Sequence, residues 1–168
     1  MQGAVDGLTR TGQGLRKVRT CLFLKASDAE PAATFYVSLI PDSRIETINR
    51  PDPNGPALVV EFSLAGAPFM TLAGNSAPQP SHISSISVLT NDQAETDALW
   101  SALLAGGGEE GRCGWLKDRF GVHWQVVPEA LPRLMSSGEP GATLRVQSAL
   151  MGMKRVDIAA LEAAFAGK

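Results

Sequence analysis

Apolar and polar residues recur along the chain in a pattern that predicts the same series of elements twice. Residues 20–24 form a short apolar run typical of a strand, and residues 32–40 then carry apolar side chains at helical spacing until Pro41. The same pattern returns, without a gap, 64 positions later. The paired positions include Leu22 and Ile86, Asp28 and Asp92, Tyr36 and Trp100, and Leu39 and Leu103. Self-similarity at a fixed spacing indicates a repeated structural unit.

Polar residues mark the start of a helix in both copies. Ser27, followed by Glu30 three residues later, predicts a capping box, in which two side chains satisfy the first free backbone N–H groups of the helix. The second helix is predicted to begin near Asp92, with Glu95 in the corresponding position, and to end at the glycine cluster of residues 106–108.

Three further apolar segments follow each helix and predict strands. They are residues 45–48, 57–64 and 68–73 in the first copy, and residues 109–112, 114–117 and 122–127 in the second. Hairpin turns are predicted at Ala65-Gly66 and at residues 118–121, where Asp118 is expected to cap its own turn. Each copy therefore reads β-α-β-β-β.

The two ends of the chain differ in character from the repeated part. We predict a flexible N-terminal extension over residues 1–17, two modules over residues 18–75 and 82–128, and a helical C-terminal extension over residues 129–168. The extension contains apolar residues at helical spacing near residues 131–135, 146–153 and 156–165. These helices carry no chemistry of their own, and we expect them to cover a sheet edge or a partner subunit.

Composition excludes several classes of protein. The chain has 168 residues, of which 44% are hydrophobic and 19% charged, as in globular domains. A formal net charge of -2 argues against a nucleic-acid partner, and no apolar run approaches the roughly 20 residues of a membrane-spanning helix. Two cysteines and two histidines exclude a disulfide scaffold and a Cys/His-rich zinc site. The first 20 residues lack the apolar core of a signal peptide, so a cytoplasmic location is expected.

Several segments resemble one known superfamily. The most specific are residues 102–110 (ALLAGGGEE), 113–121 (CGWLKDRFG) and 124–128 (WQVVP). Together with the paired βαβββ pattern, they resemble the vicinal oxygen chelate superfamily of glyoxalases, bleomycin-resistance proteins and dioxygenases. Within it, the chain is similar to the PhnB-like branch, often labelled the 3-demethylubiquinone-9 3-methyltransferase domain. The resemblance implies an α+β fold of two tandem βαβββ modules with a helical extension, and a homodimer.

The resemblance also implies where a metal ion would be held. Carried over by position, the metal ligands of the superfamily fall on Cys21, Ser85 and Gln125, which offer a thiol, a hydroxyl and a neutral amide. A divalent metal site normally needs imidazoles and a carboxylate, and His123 would supply only one such ligand. We therefore expect no metal and no other cofactor.

Strand alternation indicates which residues face a ligand cleft. His123 and Gln125 share one face of the last strand, while Trp124 and Val126 share the other. The predicted ligand-binding residues are Cys21, Trp115, His123 and Gln125, and no catalytic residue is assigned.

Three functions remain open after these observations. The first is a metal-free protein that binds a small molecule, and the second is a metal-dependent enzyme of the glyoxalase or dioxygenase type. The third is a structural or regulatory dimeric interaction module. Methyl transfer from S-adenosylmethionine is not expected, because such a site needs a glycine-rich turn that follows a strand and opens a helix, whereas residues 106–108 follow a helix. A reactive Cys113 paired with His123 is a further alternative to a structural cysteine.

Overall fold

The computed structural model describes residues 16–76, 79 and 81–168, which fall into two compact units divided between residues 77 and 78. The first unit contains β1 (Thr20–Lys25), α1 (Ala29–Leu39), β2 (Arg44–Asn49), β3 (Val59–Leu64) and β4 (Ala67–Gly74). The second contains β5 (Ile86–Thr90), α2 (Gln93–Leu104), β6 (Glu109–Glu110), β7 (Trp115–Lys117), β8 (His123–Pro128), α3 (Ala130–Met135), α4 (Pro140–Met151) and α5 (Ile158–Ala166).

Both units have the same sheet topology, which confirms the predicted repeat. The strand order is β1-β4-β3-β2 in the first sheet and β5-β8-β7-β6 in the second. In each sheet the first strand pairs parallel to the last, and the other neighbours pair antiparallel. The α+β fold of two βαβββ modules followed by helices is therefore as the sequence predicts.

The core of the first unit lies between α1 and one face of its sheet. Leu24, Tyr36, Val60 and Phe62 are almost completely buried there. Tyr36 belongs to α1, whereas Val60 and Phe62 alternate along β3, as expected of a strand with one face against a helix. The opposite face includes the exposed Cys21.

The predicted hairpin between β3 and β4 forms at Ala65 and Gly66. Both residues have positive φ angles, 45° and 82° respectively. This left-handed backbone is typical of two-residue turns, because its twist matches that of the flanking strands. Glycine adopts it without strain, whereas the Cβ atom of Ala65 makes it unfavourable.

The predicted capping box at the start of α1 is wrong. Asp28 rather than Ser27 occupies the N-cap position, and no side chain caps the helix. The Ser27 hydroxyl donates instead to Asp28 Oδ1 at 2.8 Å. Glu30, the other expected partner, accepts a hydrogen bond of 2.6 Å from Arg50. Arg50, which is distant in sequence, therefore binds the Glu30 carboxylate that the predicted capping box would use.

The start of α2 matches the prediction more closely. Asp92 is the N-cap and accepts from the backbone N–H of Glu95 at 2.8 Å. The Glu95 carboxylate reaches back one residue further than a capping box requires, to the N–H of Asn91 at 2.6 Å. The helix ends at Leu104, and Gly108 N–H donates to its carbonyl oxygen, so the glycine cluster does stop the helix.

The strand predicted over residues 109–112 is shorter in the structure. β6 contains only Glu109 and Glu110, and residues 111–114 form a tight turn into β7. Cys113 has a φ of 58° and Gly114 a φ of 81° within this turn. A Cβ atom at Gly114 would lie 2.7 Å from the carbonyl oxygen of Val126, so the strand approaches too closely for any side chain.

The C-terminal helices join the second unit through their own apolar cluster and through backbone hydrogen bonds. Leu134, Val146, Val156 and Leu161 are buried together. The N–H groups of residues 113 and 114 donate to the carbonyl oxygens of residues 153 and 154. Gln93 adds a side-chain bridge to the backbone of residues 156 and 158. The prediction that these helices cover a sheet edge or a partner subunit stays a prediction.

The predicted three-part division of the chain also stays a prediction. Residues 1–15 of the expected N-terminal extension lie outside the described residues. No described helix has the length and apolar character needed to cross a membrane.

Candidate functional site

The sheet of the second unit has two faces of different character. Leu116, Trp124 and Val126 are completely or almost completely buried on the face that α2 covers. His123 and Gln125 alternate with Trp124 and Val126 along β8 and therefore lie on the other face. The candidate site is this second face.

A single carboxylate holds the hairpin that sets the register of this face. Asp118 Oδ1 accepts hydrogen bonds from the N–H groups of Phe120 at 2.9 Å and Val122 at 3.0 Å. Its Oδ2 accepts from the indole N–H of Trp124 at 2.9 Å. The predicted cap of the turn is therefore correct, and the side chain also anchors the core tryptophan. Only 1% of Asp118 is exposed.

The resulting register brings several polar and aromatic residues together. Trp115 lies opposite Gln125, and Lys117 lies opposite His123. The ring of His82, which precedes β5, lies 4.2 Å from the His123 ring and 6.3 Å from the Trp115 ring, measured between centroids. These aromatic residues line a cleft of about 310 Å³ together with Lys117 and Glu109. Its volume is at the lower end of the range for small-molecule sites.

His123 is the buried polar group of this cleft. Only 7% of the residue is exposed, and its Nε2 atom has no hydrogen-bond partner among the described residues. Burial lowers the pKa of His123, and the nearby His82 and Lys117 lower that pKa further, while Asp118 and Glu109 act in the opposite direction. The imidazole is therefore neutral at pH 7, with one nitrogen that donates and one that accepts.

A lysine supplies the positive charge of the cleft. Lys117 Nζ forms an ion pair of 2.8 Å with Glu109 Oε1 across the β6–β7 pair. The Lys117 side chain is 25% exposed, whereas the Glu109 side chain is 69% exposed. The lysine is thus held against the sheet, and its carboxylate partner lies at the solvent edge.

Gln125 forms a hydrogen bond with Ser85, the residue that precedes β5. Its amide N–H donates to the Ser85 hydroxyl at 2.7 Å. The structure thus brings together two of the three positions onto which the resemblance carries metal ligands. Both groups are neutral, and they satisfy each other by a hydrogen bond.

These residues do not fit a divalent metal ion. Ser85 and Gln125 bring no negative charge to offset the dehydration of the ion. Within residues 16–76, 79 and 81–168, no group of three or more His, Cys, Asp or Glu side chains is placed to hold a metal.

The remaining predicted site residue, Cys21, belongs to the first unit. It lies on β1 opposite Met70 of β4 and is exposed. Partial burial of its thiol raises the pKa of Cys21, so the thiol is protonated at neutral pH and weakly nucleophilic. Cys113 does not pair with His123 but has its sulfur 3.6 Å from that of Met151.

Several residues that line the cleft, among them His82, Glu109 and Lys117, were not among the predicted site residues. His82 lies in the Pro- and Ser-rich link between the copies, where no periodicity places a side chain on either face. Lys117 could have been found by extending the strand alternation from Trp115, with which it shares a face. Glu109 joins this face only through the pairing of β6 with β7.

Comparisons with known proteins identify relatives of the chain. A profile of the family described as 3-demethylubiquinone-9 3-methyltransferase matches residues 16–127. The PhnB protein from Bacillus cereus is 29% identical, with a TM-score of 0.58 over 67% of this chain and 99% of that one. A protein from Pseudomonas aeruginosa is 22% identical, with a TM-score of 0.54 over 68% and 98% of the two chains. The fosfomycin resistance protein FosX from Listeria monocytogenes is 18% identical, with a TM-score of 0.50 over 72% and 95%. The last two likenesses show the fold alone, and no curated protein matches the chain.

Proposed function

The chain belongs to the 3-demethylubiquinone-9 3-methyltransferase family, the PhnB-like branch of the vicinal oxygen chelate superfamily, and on this premise we propose that it binds a small molecule without a resident metal ion. The observation that carries the proposal is the cleft on the open face of the second sheet. It has aromatic walls and contains a buried imidazole nitrogen that has no partner in the part of the chain that the structure describes. A concave site with aromatic walls and a few placed polar groups is typical of ligand binding.

The residues at the family's metal positions support the absence of a metal. Ser85 and Gln125 are neutral and hydrogen-bonded to each other. A divalent ion would have to break that bond and would find no negative charge there to compensate its own. The chemistry of the superfamily's metal-dependent members needs such an ion. Binding without that chemistry is therefore the function that these side chains favour.

The name of the family does not extend the proposal to methyl transfer. The glycine cluster at residues 106–108 follows α2 and satisfies the end of that helix. A glycine-rich turn that cradles a nucleotide-type cofactor would have to lead from a strand into a helix.

We further infer from the resemblance that the protein is a homodimer and acts in the cytoplasm. Native mass spectrometry of protein purified without added metal tests subunit number, bound ions and retained small molecules together. We expect a dimer without a stoichiometric metal ion, and a retained molecule that Trp115→Leu removes.

Two outcomes would contradict this proposal. A stoichiometric divalent ion, together with an activity lost on chelation, would favour a metal-dependent enzyme of the glyoxalase or dioxygenase type. No retained molecule, and no compound whose stabilisation of the protein depends on Trp115, would favour an interaction module.

A further inference from the structure

The cleft of the second unit offers an anion one cation and two imidazoles. Lys117 carries the positive charge, His82 and His123 supply the imidazoles, and Glu109 is the carboxylate paired with the lysine. Glu110 also borders the cleft, but it accepts hydrogen bonds from Lys154 at 2.8 Å and from the Trp100 indole at 3.3 Å. The carboxylate of a ligand would therefore compete with Glu109 for the Lys117 ammonium group, since Glu110 is already bound elsewhere.

A ligand carboxylate can displace Glu109 from Lys117. The Glu109 side chain is 69% exposed and can return to water, while Lys117 is held at 25% exposure against the sheet. An exposed ion pair contributes little stability, about 0–1 kcal/mol, so exchanging one carboxylate for another costs little.

A second hydrogen-bond donor is available next to the lysine. His123 lies directly opposite Lys117 in the β7–β8 pairing, and its Nε2 atom is buried without a partner among the described residues. A neutral imidazole that carries its proton on Nε2 donates one hydrogen bond. Two neighbouring donors match the two oxygens of a carboxylate, and a bond to a charged group is stronger than one to a neutral group.

An aromatic surface continues from these donors. Trp115 precedes Lys117 by two residues on the same face of β7, a separation of about 7 Å in a strand. The His82 ring lies 6.3 Å from the Trp115 ring. A planar ring attached to the carboxylate would lie against Trp115 while the carboxylate meets Lys117 and His123.

From this arrangement we propose that the cleft binds an aromatic carboxylate, with its carboxylate on Lys117 and His123 and its ring against Trp115. This assignment rests on the proposed function and names the chemical class of its ligand. Lys117 acts by charge, His123 by a single hydrogen bond, and Trp115 by contact area.

The test compares two probes of the same shape by isothermal titration calorimetry on the full chain. Benzoate carries the proposed charge, and benzamide replaces it with a neutral amide. We expect benzoate to bind at least about tenfold more tightly than benzamide, a difference of about 1.4 kcal/mol. Lys117→Met should abolish that preference, and Trp115→Leu should weaken both probes alike.

Arg133→Met is the control for net charge. Arg133 also forms an ion pair with a glutamate, Glu162, at 3.3 Å, but its side chain is 68% exposed and it does not line this cleft. This variant should keep the full preference for benzoate. His123→Gln, which preserves a hydrogen-bonding side chain, should retain part of the affinity, and near-ultraviolet circular dichroism establishes that each variant is folded.

The outcomes separate this inference from the proposed function. Equal affinity for benzoate and benzamide would overturn the anion assignment while leaving a small-molecule site in place. No saturable binding of either probe up to about 10 mM would overturn the aromatic carboxylate, and the retention experiment above then decides the proposed function by itself. An equal loss in Lys117→Met and Arg133→Met would also overturn it, because the effect would then be one of net charge.

Discussion

Asp118 offers the sharpest test of how the second unit holds its functional face. Asp118→Ala removes a buried carboxylate that accepts three hydrogen bonds, two from the β7–β8 turn and one from the indole of Trp124. The turn and its register place Lys117 opposite His123. The substitution therefore acts on stability and on the cleft together.

The magnitude follows from the burial of each partner. A hydrogen bond to a charged group contributes about 1.5–3 kcal/mol, and a buried donor left without a partner costs about 1–3 kcal/mol. The Trp124 indole is fully buried, whereas the turn amides of Phe120 and Val122 belong to half-buried residues that water can partly reach. Because the bonds share one acceptor group, their contributions do not add fully. We expect Asp118→Ala to lower the free energy of unfolding of the second unit by about 3 kcal/mol.

Tryptophan fluorescence isolates this effect, because all three tryptophans, at positions 100, 115 and 124, lie in the second unit. In urea denaturation, a slope of about 1–1.5 kcal/mol per M converts the loss to a midpoint shift of about 2–3 M. The control is Asp157→Ala, which removes one exposed N-cap bond of 2.9 Å to Ala160 and should cost about 1 kcal/mol. If Asp118→Ala costs no more than the control, the carboxylate does not anchor the hairpin.

Three other predictions test the backbone and the cleft. Ala65→Gly should raise the free energy of unfolding of the first unit by about 0.5–1 kcal/mol, since it relieves a positive φ, and thermal melting followed by circular dichroism measures it; a lower midpoint would contradict this. Gly114→Ala should destabilise the second unit by at least about 2 kcal/mol in the same fluorescence assay, because its Cβ would lie 2.7 Å from Val126 O, and an unchanged midpoint would refute that packing. Because the pKa of His123 is lowered in the folded state, the unfolded state binds more protons, and the free energy of unfolding should fall as the pH drops below about 6.5. His123→Gln should flatten this pH dependence, and an equally steep profile in that variant would exclude His123 as its source.

The repeat and the faces of the strands could be predicted from the sequence, because both depend on local periodicity. The pairing of Asp28 with Asp92 and of Tyr36 with Trp100 indicated two copies of one module, and the two sheets have the same strand order. The alternation along β8 likewise placed Trp124 in the core and His123 on the opposite face. A side chain in a strand points to one face or the other by its position alone.

Other features depended on partners far away in the chain. The capping box at Ser27 failed because α1 begins one residue later, with Asp28 as its N-cap, while Arg50, 20 residues beyond Glu30, binds the Glu30 carboxylate. The sequence around α1 contains no sign of that competition. A local motif predicts correctly only where no distant group binds its side chains more strongly.

The candidate site shows the same division. The amino-acid sequence alone determined that Ser85 and Gln125, onto which the resemblance carries metal ligands, are neutral, and that Trp115, His123 and Gln125 belong to the last two strands of a module. Only the tertiary structure decided that the His82 ring lies 4.2 Å from the His123 ring, and that Lys117 lies opposite His123 with Glu109 as its ion-pair partner. The reason is that the chemical identity of a residue and its position in a strand can be read from the sequence. Which side chains lie next to it depends on the register of the sheet and, for His82, on a linking segment that has no hydrophobic periodicity.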